Sequence, residues 1–199
     1  PGAVWAGTDS DFFWATNWRG IASNDVAMFV TNFQVTNPNG VGVATDDPIW
    51  YTNDGTTWVS MSGLAANPNG IYFNPSPGTP PVPQPRYTGP FVVTARIILP
   101  FKDRLLLLNT IENDNSGGLG VNSAHPQRCR FSHNGSPFAQ NAWYEPSNRD
   151  SSGTPNGLSI ADGADYIDAT TDEEIIAAEF IKDRLIVYFE RSTWELVYT

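Results

Sequence analysis

A short segment that returns after eighty residues constrains this chain more than any other feature. Phe101-Lys102-Asp103-Arg104-Leu105 runs into Leu106-Leu107-Leu108, and eighty positions later Ile181-Lys182-Asp183-Arg184-Leu185 runs into Ile186-Val187-Tyr188. A looser copy, Asn24-Asp25-Val26-Ala27-Met28-Phe29-Val30, sets Asp25 almost one full period before Asp103. Self-similarity at a fixed period marks a repeated unit that must stack on its neighbours to bury its apolar faces. In each copy an Asp turn launches an apolar run of strand length, continuous enough to be buried on both faces.

A second feature recurs at nearly the same phase. Tyr51-Thr52-Asn53-Asp54-Gly55-Thr56-Thr57-Trp58 follows the Asp25 turn, and Phe131-Ser132-His133-Asn134-Gly135, followed by Trp143, follows the Asp103 turn. The step from Asp25 to Asp54 matches the step from Asp103 to Asn134 to within a couple of positions. Asp-Gly and Asn-Gly are strong signals for a type I′ hairpin, whose two central residues need positive φ. A further strand precedes each apolar run: Phe12-Phe13-Trp14, Phe91 to Leu99, and Ile175 to Phe180. The last of these has a helical alternative, with Thr171 as a cap and Glu174 three residues on, but the parallel with Val92 to Leu99 favours a strand.

The expected fold is therefore all-β: four strands per module, with modules at about 1–88, 89–168 and an incomplete 169–199. Four antiparallel strands make one blade of a β-propeller, so the chain reads as a partial propeller with long loops. A sandwich with long loops is the alternative. Seven prolines between Pro75 and Pro90, and the Gly-, Ser- and Asn-rich stretches Asn113 to Ser123 and Ser147 to Gly157, supply those loops. A start at Pro1 and a stop at Thr199, directly after a strand-like run, set the expectation of a segment of something longer.

Composition bears on function. The net charge is −10 with only two Lys, which argues against a phosphate-binding surface as the main activity; a wall that nucleic acid passes without sticking and ordinary solubility are equally compatible with it. Cys129 is the single cysteine, so no intrachain disulfide forms and no oxidising compartment is required. No apolar run approaches the length of a membrane-spanning helix, and no charged leader precedes a hydrophobic core; neither a transmembrane helix nor a signal peptide is expected.

Three constellations invite a chemical reading. His125, Cys129 and His133 are spaced by four, but on a strand residues four apart lie roughly 13 Å apart, too far for one metal. Asp172-Glu173-Glu174 offers carboxylates in a polar turn, where solvation is the simpler role. Thr52 to Trp58 resembles the Asp-box hairpin of sialidases, one residue short between Asp and Trp; that box is structural in those proteins. No set among the nine Arg suggests a sialidase triad. No catalytic residue, metal or cofactor is expected. Turn and packing roles fall to Asp54, Gly55, Trp58, Asp103, Arg104, Asn134, Gly135, Trp143, Asp183, Arg184 and Trp194.

The order of pieces from Phe101 to Thr199 resembles a known group. Asp103-Arg104-Leu105-Leu106-Leu107 is followed by Arg128 to Pro137 with Trp143, then by Ala164-Asp165-Tyr166-Ile167-Asp168, then by Asp172 to Ala177 leading into Asp183 to Ser192. This is similar to the propeller portion of the tail nozzle, or tail tubular protein B, of short-tailed bacteriophages. Phe138 to Ala142 make a longer insertion before Trp143 than the tighter form of the pattern has. The resemblance implies a virion tail component, assembled in the host cytoplasm into a ring with copies of itself and other tail proteins. DNA would pass the lumen without specific binding, and no membrane is involved. A carbohydrate- or receptor-binding propeller, with exposed aromatics stacking on sugar, is the alternative function. A sialidase-like glycoside hydrolase is the third.

One face of the last strand carries Trp194, Leu196 and Tyr198. An open edge with such a face invites aggregation. Further polypeptide or another chain is expected to cover Thr193 to Thr199.

Overall fold

The structure, a computed structural model, describes residues 5–7, 11, 13–20, 26–64, 67–73, 89–116, 118–138, 142–145 and 163–197. Its regular elements are strands in three antiparallel sheets, each running up and down in chain order. Sheet 1 holds β1 (Phe13–Arg19), β2 (Val26–Asn32), β3 (Trp50–Thr52) and β4 (Val59–Ser60). Sheet 2 holds β5 (Phe91–Phe101), β6 (Arg104–Asn113), β7 (Asn122–Phe131) and β8 (Asp165–Asp168). Sheet 3 has three strands, β9 (Ile175–Ile181), β10 (Arg184–Phe189) and β11 (Thr193–Leu196). The chain is thus all-β, and no sheet closes on itself among the described residues.

The repeated Lys-Asp-Arg segment is a two-residue hairpin turn. Phe101 pairs with Arg104 across Lys102-Asp103, and Ile181 pairs with Arg184 across Lys182-Asp183, in the same register. Lys102 and Asp103 both take positive φ, 49° and 60°, as a type I′ turn requires. In the second copy Lys182 alone does, at 61°.

The sheets stack face to face in chain order. β1 and β2 lie against β5, while β9 lies against β5, β6 and β7, so sheet 2 is covered on both faces. Side chains alternate along a strand, and β6 divides them cleanly. Leu105 and Leu107 join Trp18, Phe29, Ile49, Ile98 and Trp143 under sheet 1. Leu106 and Leu108 join Ile97, Leu99, Ile175, Leu185 and Val187 under sheet 3. This is why Leu105 to Leu108 read as unbroken apolar sequence rather than as alternation. Each Leu or Ile buried this way contributes about 1.5–3 kcal/mol.

Polar bonds cross the stack as well. Trp14 Nε1 donates to Ile98 O at 2.7 Å, and Thr31 Oγ1 lies 2.8 Å from Thr94 Oγ1. Toward sheet 3, Asn109 Nδ2 donates to Glu174 Oε1 at 2.9 Å and to Ile175 O at 3.1 Å, and Arg96 pairs with Glu174. Asn109 stands at φ 54°, where the β6–β7 register shifts; Asn tolerates this left-handed conformation better than most residues.

Two expected hairpins take other forms. At Asp54-Gly55 only Gly55 has positive φ, 73°, and β3 and β4 are joined through residues 53–58 rather than by a two-residue turn. Asp54 Oδ1 accepts from the backbone N–H of Thr56 and Thr57, which holds the wider loop. At Asn134-Gly135 the chain does not turn back along β7, whose next partner is β8. Gly135, at φ 103°, instead donates its N–H to Asp103 O at 3.0 Å, docking this turn on the β5–β6 hairpin. The Asn24-Asp25 turn, most of the proline-rich stretch, Ser147 to Gly157 and Tyr198 lie outside the described residues.

Candidate functional site

Among the described residues, the densest set of charged side chains lies on β6, β7 and β8. Glu112 is the one charged residue of the buried run Leu105 to Asn113, where a lone carboxylate would cost several kcal/mol unless paired. Its partners come from Arg128 and Arg130, two apart on β7 and so on one face. Pro126 falls inside the register shift between β6 and β7, so its missing N–H interrupts no ladder bond.

Arg130 is 1% exposed and grips Glu112 in bidentate fashion, Nε to Oε1 at 2.9 Å and Nη2 to Oε2 at 3.0 Å. Its Nη1 reaches Glu145 Oε1 at 2.7 Å, and its guanidinium lies 3.8 Å from the Phe73 ring centre. Arg128 donates Nη1 to Glu112 Oε2 at 2.9 Å and holds Asp168 through Nε and Nη2, both at 2.8 Å. The Tyr166 ring stacks on Arg128 at 3.8 Å. Planar guanidinium forks suit this paired, stacked arrangement better than Lys would. His125 Nε2 stands 3.7 Å from Glu112 Oε2.

The electrostatics fix the protonation states. Burial works to raise the Glu112 carboxyl, but the Arg130 charge and hydrogen bonds, with the Arg128 charge, outweigh it and hold it below its ordinary value. Hydrogen bonds from Arg128 hold Asp168 low. Burial pushes His125 down, against the pull of Glu112. The acids are therefore ionised acceptors and the imidazole is neutral near pH 7. The clamped carboxylates of Glu112 and Asp168 tie β6, β7 and β8 together.

The candidate residues from the sequence fall into three places. Asp103, Arg104 and Gly135 meet, with Asn134 next to Gly135 in the same turn: besides the Gly135 bond, Arg104 Nη1 donates to Ser132 O at 2.7 Å, and Ser132 Oγ accepts from Leu105 N at 3.0 Å. Trp143 is buried beside them, its Nε1 donating to Pro137 O at 3.1 Å. Asp54, Gly55 and Trp58 stand apart in the β3–β4 loop, with Trp58 half-buried and outside the three apolar clusters. There the backbone N–H groups of Thr57 and Thr56 hold Asp54 well below the usual carboxylate range.

Asp183, Arg184 and Trp194 belong to sheet 3. Arg184 is exposed, 3.4 Å from Glu195, whereas its counterpart Arg104 is buried. Of the three residues spaced by four, His125 faces Glu112 and Cys129 is buried in the second cluster, its thiol pushed up to about 12 by burial. His133 lies past the end of β7, with Nδ1 at Asn134 O.

A cleft of about 210 Å³ opens between sheets 2 and 3. Leu108, Cys129 and Val187 form its floor, and Ile167 of β8 and Trp194 and Leu196 of β11 stand at its walls.

Sequence reasoning missed Glu112, Arg128, Arg130 and Asp168 as a unit. Two signals pointed there: an acid inside a run buried on both faces, and the alternation Arg128-Cys129-Arg130. Comparison with protein-family models, with curated proteins and with solved structures gives no match for the chain.

Proposed function

We propose that this chain is a structural module of a bacteriophage tail, built as blades of a partial β-propeller and acting within a homo-oligomeric ring that DNA passes. The observation that carries the reading is the stack. Consecutive up-and-down sheets pack face to face in chain order, and two of them start from the same turn in the same register. Such a stack extends by adding sheets, which suits a part of a larger assembly.

The charge supports the same reading. Arg104, Arg128 and Arg130 are buried in internal contacts, and the net charge is −10. A wall of this kind gains nothing from counterion release and lets a duplex slide by. The clamped carboxylates join β6, β7 and β8 into one unit, as a scaffold requires.

Mass spectrometry of purified phage particles tests the proposal. The polypeptide is expected in a fixed, multiple copy number per particle, retained after nuclease treatment and high-salt washing. Its absence from particles, with the protein present only in the lysate, overturns the structural reading.

A further inference from the structure

We propose that Tyr166 and Asp168 of β8 form a shallow binding site for one ring of a neutral sugar, a pyranose that lays its C–H face on the tyrosine and donates two hydroxyl hydrogen bonds to the aspartate. The proposal goes beyond the assembly reading and stands on three observations about β8.

The first is an exposure that no missing sheet explains. Tyr166 pairs in register with Arg130, and Arg130 with Leu107, so Tyr166 and Asp168 share the face of sheet 2 that looks toward sheet 1. β1 and β2 lie against β5, at the far end of that face. Sheet 2 has a stacking neighbour on each side, and still Tyr166 is 39% exposed and the Asp168 side chain 47%.

The second is spare acceptor capacity. A carboxylate offers about four lone-pair sites. Buried Glu112 fills them with hydrogen bonds from Arg128, Arg130 and Thr110. Among the described residues Asp168 accepts one bond on each oxygen, both from Arg128 at 2.8 Å. One lone pair on each oxygen is left, and the side chain is half-exposed. Two neighbouring oxygens of this kind match the two hydroxyls of a vicinal diol.

The third is that one guanidinium holds both groups in place. Arg128 grips Asp168, lies 3.8 Å from the Tyr166 ring centre, and is itself anchored on Glu112. It takes one face of the ring, so the exposed surface of Tyr166 is the other face and the edge. Residues two apart on a strand lie about 6.5 Å apart on one face, so a sugar ring resting on Tyr166 brings its rim hydroxyls to Asp168. Groups fixed before binding lose little freedom when the ligand arrives.

The same guanidinium selects the charge of the ligand. Arg128 neutralises Asp168 and already occupies a face of the ring, so a second cation gains little there. An anionic sugar would bring its carboxylate up to Asp168 on a chain of net charge −10. A neutral ring with one apolar face and adjacent hydroxyls uses both groups and meets neither penalty.

The test titrates the chain of residues 1–199 with methyl β-D-glucopyranoside and methyl β-D-galactopyranoside, followed by NMR. Each is taken to about 50 mM, since a single exposed ring binds in the millimolar range. At least one is expected to move the Tyr166 ring signals and the amides of Tyr166 and Asp168, and saturation of the ring should reach the C–H protons on one face of the sugar. Tyr166→Ala and Asp168→Asn should each weaken binding about tenfold, with unchanged β6 amide shifts as proof that the fold persists. Ile167→Ser, on the opposite face of β8, should leave the affinity as it was.

Unmoved Tyr166 signals with both pyranosides overturn the proposal. So does an affinity that survives both site variants, or one that falls equally with Ile167→Ser, because binding then lies elsewhere. Tighter binding of tetramethylammonium overturns it in favour of a cation site, and tighter binding of N-acetylneuraminic acid in favour of an anion site. The outcome is separate from the particle test: a chain present in particles that binds no sugar loses this site alone, and a chain absent from particles that binds sugar keeps it.

Discussion

Glu112 accepts four hydrogen bonds, from Arg128, twice from Arg130 and from Thr110 Oγ1. Its effect on folding can be followed with pH. His125, Glu112 and Asp168 all have folded values below their ordinary 6.5, 4.5 and 3.8, so each binds its proton less readily folded than unfolded. Stability from such groups is present above the unfolded value and is lost on acidification. Urea midpoints should therefore hold near pH 7, decline below about pH 6.5 as His125 becomes protonated, and decline further below about pH 4.5. Glu112→Gln should lower stability at pH 7 by about 3–5 kcal/mol, since two buried guanidiniums lose their shared acid, and should flatten the lower stage. A midpoint constant from pH 7 to pH 4 would show that the cluster is not coupled to folding. The acid in a doubly buried run was visible in the sequence. The identity of its partners was not, because it depends on a register shift at Pro126 that no local pattern announces.

At the scale of elements, the β5–β6 and β9–β10 hairpins were legible, because an apolar run on each side of Lys-Asp is a local signal. The Asp-Gly pair does mark the β3–β4 hairpin but not a two-residue turn, and the Asn-Gly pair marks a turn but not a hairpin on β7, for two different reasons. Asp54 turns its carboxylate to the N–H groups of Thr56 and Thr57, which widens the loop. Gly135 answers to Asp103, a contact too distant in sequence for any local window to contain. The two Lys-Asp turns also differ. Asp103 stands at φ 60°, while Asp183 is not among the residues with positive φ. A β-branched residue in the left-handed region costs about 1–2 kcal/mol. Asp103→Val should thus destabilise by about that amount in a denaturant titration, and Asp183→Val by clearly less. Equal losses would mean that the two turns share one conformation.

For the whole molecule, the all-β class and the stacking of repeated units followed from period and composition, and the residues that meet across the stack did not, since each sheet's partner face is fixed by contacts between modules. The cleft between sheets 2 and 3 was equally hidden: its walls come from β8 and β11, which are well separated in sequence. Sheet 2 shields its neighbours and is shielded by them on both faces, whereas sheets 1 and 3 each have a single covering sheet among the described residues. That asymmetry sets a hierarchy of opening. In native-state hydrogen exchange, the amides of β6 should be the last to exchange, at the free energy of global unfolding, with sheet 3 opening at a lower free energy. Uniform exchange across the three sheets would contradict this. The covered middle sheet thus acts as the chain's slowest clock: the outer sheets can open and close while Leu105 to Leu108 keep the memory of the fold.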